Sequence, residues 1–151
     1  MEDSIAFAKK FTEDVLSFFG LNAAVDATHD EEVIQLSVPS THLNGFLIGH
    51  NGETLRSLQL LISAALRSAD KEVCRVSLDV AGYKKQNEEK LIEKAKDWIS
   101  RVRETKQEMP LQPMNAAERR IVHREVSESD DLMTESVGEG RDRHIVIKLA
   151  E

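Results

Sequence analysis

Cysteine occurs once in the 151 residues, at Cys74. A lone cysteine cannot close an internal disulfide, and Cys74 falls in a strand-like run, where a buried thiol is its ordinary role. No apolar run is long enough to span a bilayer. The start of the chain, Met1-Glu2-Asp3-Ser4, lacks the basic opening of a signal peptide, and these features together imply a cytoplasmic protein. Excess positive charge is lacking too: the net charge is -7, which opposes tight binding to duplex phosphate. There is no paired Cys/His metal spacing, no P-loop and no G-x-S-x-G, so no metal or cofactor is expected.

What is present fits a folded chain. Apolar residues make up 40% and charged residues 31%, the balance of a globular protein and not of a disordered one. The length suits one ordinary domain, or two small ones sharing a helix. The acidity is uneven. Residues 1–40 carry two basic against eight acidic residues, and residues 107–151 carry six against ten. Residues 41–80 balance at four each, while 81–106 hold eight basic against five acidic.

The stretch that organises the chain is Leu47-Ile48-Gly49-His50-Asn51-Gly52-Glu53-Thr54-Leu55. A helix-like segment with Leu43, Phe46 and Leu47 enters it. A second leaves it with Leu55, Leu58, Ile62 and Ala65 on one face. So short a turn between helices needs glycine, which tolerates positive φ and close backbone approach. The second helix begins at the turn, so its unpaired N–H groups and dipole favour an anion there. A helix-turn-helix can also use glycine simply to turn.

In chain order, residues 4–19 form an amphipathic helix with the stripe Ala8, Phe11, Val15, Phe18 and Phe19, stopped by Gly20. Strands follow at 23–28 and 32–38, joined by a turn at Thr28-His29-Asp30-Glu31 that leaves His29 in solvent. Pro39-Ser40-Thr41 ends the strand and caps the next short helix. After the glycine turn a third strand spans 72–80, with Cys74, Val76, Leu78 and Val80 on one face. A small sheet with helices on one side would bury all these stripes. Ala81-Gly82 is a break. A helix from 83 to 105 buries Leu91, Ala95, Trp98, Ile99 and Val102. Its lysines, among them Lys84, Lys85, Lys90, Lys94 and Lys96, form either a solvated face or a basic surface. Residues 107–113 are extended, because Pro110 and Pro113 forbid a helix interior. Asn115 caps a helix running to Val126, with Glu118 in the capping-box position. Strands at 131–137 and 143–149 close the chain around Gly138-Glu139-Gly140-Arg141-Asp142.

On that last helix Arg119 and His123 stand four residues apart on one face, with Ile121 opposite as a core anchor and Arg120 and Arg124 beside them. Guanidinium groups bind phosphate or stack on bases, and imidazole stacks or donates. Arg141 and Arg143 belong to the same region. As an enzyme site the helix is poor: Glu125, two residues beyond His123, points elsewhere, and no nucleophile motif accompanies Ser127.

These motifs resemble a known arrangement. The glycine turn and the element order resemble a type II KH domain. Leu78-Asp79-Val80-Ala81-Gly82-Tyr83, Pro113-Met114-Asn115-Ala116-Ala117-Glu118-Arg119-Arg120-Ile121-Val122-His123 and Thr134-Glu135-Ser136-Val137-Gly138-Glu139-Gly140 resemble the Jag family (SpoIIIJ-associated, also called KhpB or EloR). The resemblance implies an α+β chain with a KH domain (αββααβ) over 1–81, a connecting helix over 82–106 packed into the second domain, and an Arg-x-x-x-His domain over 107–151. It implies a non-catalytic bacterial regulator that binds single-stranded RNA, linked to envelope growth, with a small KH-domain protein as partner. Binding of single-stranded DNA, or an adaptor role through KH–KH contacts, are the alternatives. The implied contacts are Gly49, His50, Asn51 and Gly52 on the KH loop, and Arg119, His123, Arg120, Arg141 and Arg143 on the second domain. Bases are expected in an apolar groove between the helix after Gly52 and its adjacent strand. In the KH loop, the variable positions are often basic in the family, and here they are His50 and Asn51; histidine titrates near neutrality, so attraction there depends on pH. Many family members also carry an extra N-terminal domain and linker, which implies that this chain is a short member or a fragment.

Overall fold

The computed structural model describes residues 1–69, 71 and 75–151. It divides into two compact units, Met1–Lys84 and Lys85–Glu151. The first is built from α1 (Glu2–Phe18), β1 (Asp26–Asp30), β2 (Val33–Val38), α2 (Asn44–Ile48), a 3-10 turn (His50–Gly52), α3 (Glu53–Ser68) and β3 (Arg75–Val80). Its sheet runs β1-β2-β3, with β2 antiparallel to β1 and parallel to β3. This is the helix-strand-strand-helix-helix-strand order expected from the sequence.

Alternation decides which face of the sheet is covered. Ile34, Leu36 and Val38 on β2 and Val76, Leu78 and Val80 on β3 are buried, while Gln35 and Ser37 between the β2 residues stay exposed. Leu47 from α2 and Leu55, Ile62 and Leu66 from α3 complete the core with Ala8 and Leu16 from α1. Cys74, expected on the third strand, lies outside the described residues.

Two local expectations are corrected. The buried stripe of α1 is Ser4, Ala8, Thr12 and Leu16, and Phe18 is 87% exposed. Thr12 can be buried because its hydroxyl donates to Ala8 O at 2.7 Å. The first strand also starts later than its alternation implied. Val25 donates its amide to the Glu13 carboxylate at 3.1 Å, and the ladder begins one residue on. Thr28, His29 and Asp30 are therefore strand, not turn; His29 stays exposed. The reversal is made by Glu31 and Glu32, with Glu31 at φ +50°.

The second unit contains most of α4 (Tyr83–Thr105), then β4 (Met109–Pro110), α5 (Ala116–Ser127), β5 (Leu132–Val137) and β6 (His144–Leu149), with a 3-10 turn at Gly140–Asp142. The sheet order is β4-β6-β5, all antiparallel. The extended prolyl stretch thus supplies a short edge strand, a place where a missing N–H costs nothing. Ile99, Val102, Leu111, Val122, Val126, Leu132, Ile145 and Ile147 form the core. The expected cap of α5 is present in full: Asn115 Oδ1 accepts from Glu118 N at 3.0 Å, and Glu118 Oε2 accepts from Asn115 N at 3.2 Å. Its anchors are Val122 and Val126, not Ile121, which is only half-buried.

Candidate nucleic-acid interface

In the first unit the chain turns from α2 to α3 through three departures from ordinary backbone. Gly49 has φ +70°, Asn51 φ +52° and Gly52 φ +73°. Each glycine has its own reason. A Cβ on Gly49 would lie 2.2 Å from Thr54 Oγ1, and one on Gly52 would lie 3.2 Å from a Tyr83 ring carbon. Asparagine is among the few side chains that accept the left-handed region. His50 and Asn51 are exposed at the tip, with His50 Nε2 and Asn51 Nδ2 3.2 Å apart. Arg56 closes the loop from behind, donating to Asn51 O at 3.3 Å.

Among the described residues no side chain caps the start of α3. Its first-turn amides therefore remain offered to an outside acceptor, with the positive end of the helix dipole behind them. Glu53, in that first turn, competes with an incoming anion. Beside α3 lies a groove of about 540 Å³, lined by Glu32, Gln59, Leu60, Ser63, Leu66, Arg67, Arg75 and Val76. The groove between this helix and its adjacent strand was expected to be apolar; it is mixed, with two guanidinium groups and one carboxylate among its walls.

At the other side of Gln59 sits Lys84. Its ammonium donates to Gln59 Oε1 at 3.2 Å and to Ser77 Oγ at 2.9 Å. Lys84 is exposed as a residue, but its amine is tucked between these groups. Burial lowers its pKa from the ordinary lysine value, while Asp79 pulls the other way.

The second unit gathers its candidates around α5 and β5. Arg119 donates to Met114 O at 2.5 Å. Met114 N in turn donates to Arg143 O at 3.4 Å, and Arg143 Nε donates to Ser136 Oγ at 2.9 Å. The structure thus brings Arg119 and Arg143 to the same short segment, Met114. His123 Nδ1 lies 2.5 Å from Thr134 Oγ1, which leaves Nε2 as its outward nitrogen. Arg120 is exposed on α5 and Arg141 is exposed in the 3-10 turn. Arg124 is committed elsewhere, paired with Glu88 at 2.8 Å.

Residues 89–149 match the family model of the domain named for its Arg-x-x-x-His motif. Almost the whole chain is similar to proteins named RNA-binding protein KhpB. It is 35% identical to the one from Clostridium symbiosum, over 94% of this chain and 64% of that protein. It is 28% identical to the one from Bacillus subtilis (strain 168), over 96% and 70%. The chain belongs to the Jag family. It is also 26% identical to a Streptococcus pneumoniae relative, of which it spans 42%. The Jag-family chain thus spans about two-fifths to two-thirds of the length of several curated relatives.

Within this Jag-family chain, sequence reasoning missed the groups that hold the named residues in place. Thr134 and Ser136 carry a signal: they are polar residues in phase with buried Leu132 on β5, where an apolar side chain belongs. Gln59 and Tyr83 carry none, since their roles depend on contacts far apart in sequence. Among the described residues no cluster of His, Cys, Asp or Glu could hold a metal, and no helix is long and apolar enough to cross a membrane.

Proposed function

We propose that this chain is a single-stranded RNA-binding protein that does no chemistry on its ligand. The observation that carries the reading is the uncapped start of α3 behind a double-glycine loop, next to a groove of nucleotide dimensions. In this reading residues 1–81 act as a type II KH domain. The loop Gly49–Gly52 holds the sugar-phosphate backbone through amides, and about four nucleotides run along the groove. Residues 107–151, supported by the helix over 82–106, add Arg119, His123, Arg120, Arg141 and Arg143. Arg119 spends one of its five donors on Met114, so it retains capacity for a phosphate or a base edge. The relatives' name, RNA-binding protein, supports RNA as the ligand.

A second reading, an adaptor that docks a small KH-domain protein, draws on one observation. Phe19 and Phe46 pair edge-to-face at 5.2 Å while remaining 43% and 56% exposed.

The test is a titration of fluorescent single-stranded RNA at several salt concentrations, with the double variant His50→Asp, Asn51→Asp. Both side chains are exposed, and aspartate tolerates the backbone of Asn51, so the melting temperature should hold while affinity falls. Unchanged affinity in this variant removes the loop from the interface. Absence of binding by the unaltered chain at any salt favours the adaptor. Running single-stranded DNA of matched sequence beside the RNA separates the two nucleic acids.

A further inference from the structure

Gln59 is oriented more firmly than a surface glutamine on a helix needs to be. Its Oε1 accepts from Leu78 N at 3.0 Å and from Lys84 Nζ at 3.2 Å. A backbone amide and an ammonium are both donors only, so the oxygen of the amide must face them. The side chain therefore cannot flip without setting donor against donor twice. Its amino group, Nε2, takes part in no hydrogen bond among the described residues. The neighbouring Ser63 spends its hydroxyl proton on Gln59 O at 2.9 Å, so it does not compete for a donor role. Gln59 thus lines the groove as a fixed two-proton donor whose acceptor side is already occupied.

We propose that Gln59 determines base specificity in the groove, selecting a base that presents a carbonyl oxygen over one that presents an exocyclic amine at the same place. The inference rests on the RNA-binding reading above and names what that site prefers. An amide N–H₂ donates to uracil O4 or guanine O6 and opposes the amino groups of cytosine and adenine. A glutamine that was free to flip would accept from those amines equally well; the Leu78 and Lys84 bonds forbid it. Uracil and cytosine make the sharpest comparison, because they have the same shape and differ at position 4.

The experiment uses the full chain with uridine and cytidine tetranucleotides of equal length and charge. One good hydrogen bond and the avoided donor clash correspond to about fivefold tighter binding of the uridine oligomer. Gln59→Glu keeps an oxygen for Leu78 N and Lys84 and replaces the amino group with a second oxygen. It should abolish or reverse that preference, whatever its general effect on affinity through charge. A measurement without mutation accompanies it: the side-chain amide resonances of Gln59 should shift on adding the uridine oligomer. Binding of both oligomers with equal affinity, or an equal loss for both in Gln59→Glu, overturns the role of Gln59 while leaving RNA binding intact. Failure of the unaltered chain to bind either oligomer overturns the RNA reading, and this one with it.

Discussion

In the first unit the candidate contact groups are backbone amides at the head of α3, held by glycines and left without a side-chain cap. In the second they are side chains already engaged with their own scaffold, Arg119 with Met114 O and His123 with Thr134 Oγ1. The difference is physical. A backbone site depends on φ and on empty space, so it tolerates no side chain where the glycine stands. A side-chain site depends on which donors are left over, so its residues serve fold and ligand together. Mutations should therefore fail differently in the two units.

The largest effect is expected at Gly49. Gly49→Ala places a methyl within 2.2 Å of Thr54 Oγ1 at a φ of +70°. It should cost about 2–4 kcal/mol, from overpacking and left-handed strain together, read as a lowered urea midpoint. Gly52 is less forgiving than its sequence position implied. An aspartate there was expected to weaken binding with little loss of fold, but Gly52 is buried, has φ +73° and faces the Tyr83 ring. Gly52→Asp should lower stability as well, which is why His50 and Asn51 are the better probes.

His123 comes next, and it tests whether the second site is dual-purpose. His123→Ala should lower stability by about 1 kcal/mol through the lost Thr134 bond and affinity by about 1–3 kcal/mol if the ring stacks on a base. Thr134→Val removes the same bond and keeps the ring, so it should lower the melting temperature and leave most of the affinity. Equal affinity losses in the two variants would show that Thr134 aims the ring and that the comparison between units is too simple.

Arg119→Ala should give a smaller, diagnostic change. A lost phosphate contact on a single strand flattens the dependence of log affinity on log salt by about 0.7. An unchanged slope with weaker binding would instead assign Arg119 to a base.

The smallest effect is electrostatic and lies away from the candidate residues. Arg103 holds Asp131 with two bonds of 2.8 Å. Chiefly through this hydrogen bonding, the Asp131 carboxyl is pulled below its ordinary value of 3.8. A carboxylate with a lowered folded pKa adds stability that is present above pH 3.8 and is lost as pH falls through the folded value. Asp131→Asn should therefore flatten the acid end of the stability profile, followed by circular dichroism, and leave RNA binding alone.

Much of this was legible in the sequence because it follows from periodicity. The alternation of Ile34, Leu36 and Val38, the spacing of Ala95, Ile99 and Val102, and the Asn115–Glu118 cap are local patterns with local causes. The errors came where a distant partner overrode a local pattern. Glu13 takes the amide of Val25 and delays the strand. Thr12, satisfied by Ala8 O, displaces the α1 stripe toward a polar residue and leaves Phe18 outside. The site followed the same rule: Arg119 and His123 stand out as a motif, whereas Met114 and Thr134, which anchor them, do not.

The parallel pairing of β2 with β3 has a consequence for how the first unit comes into being. β1 and β2 meet through two residues, but Val33 must find Arg75 across α2, the glycine loop and α3. Loop closure must precede that reward, so β3 is expected to dock late in folding and to detach early in native-state opening. The groove wall made by Arg75 and Val76 exists only while β3 is docked. A ligand in the groove would then act as a clasp on the last strand to arrive, slowing amide exchange across β3 more than across β1.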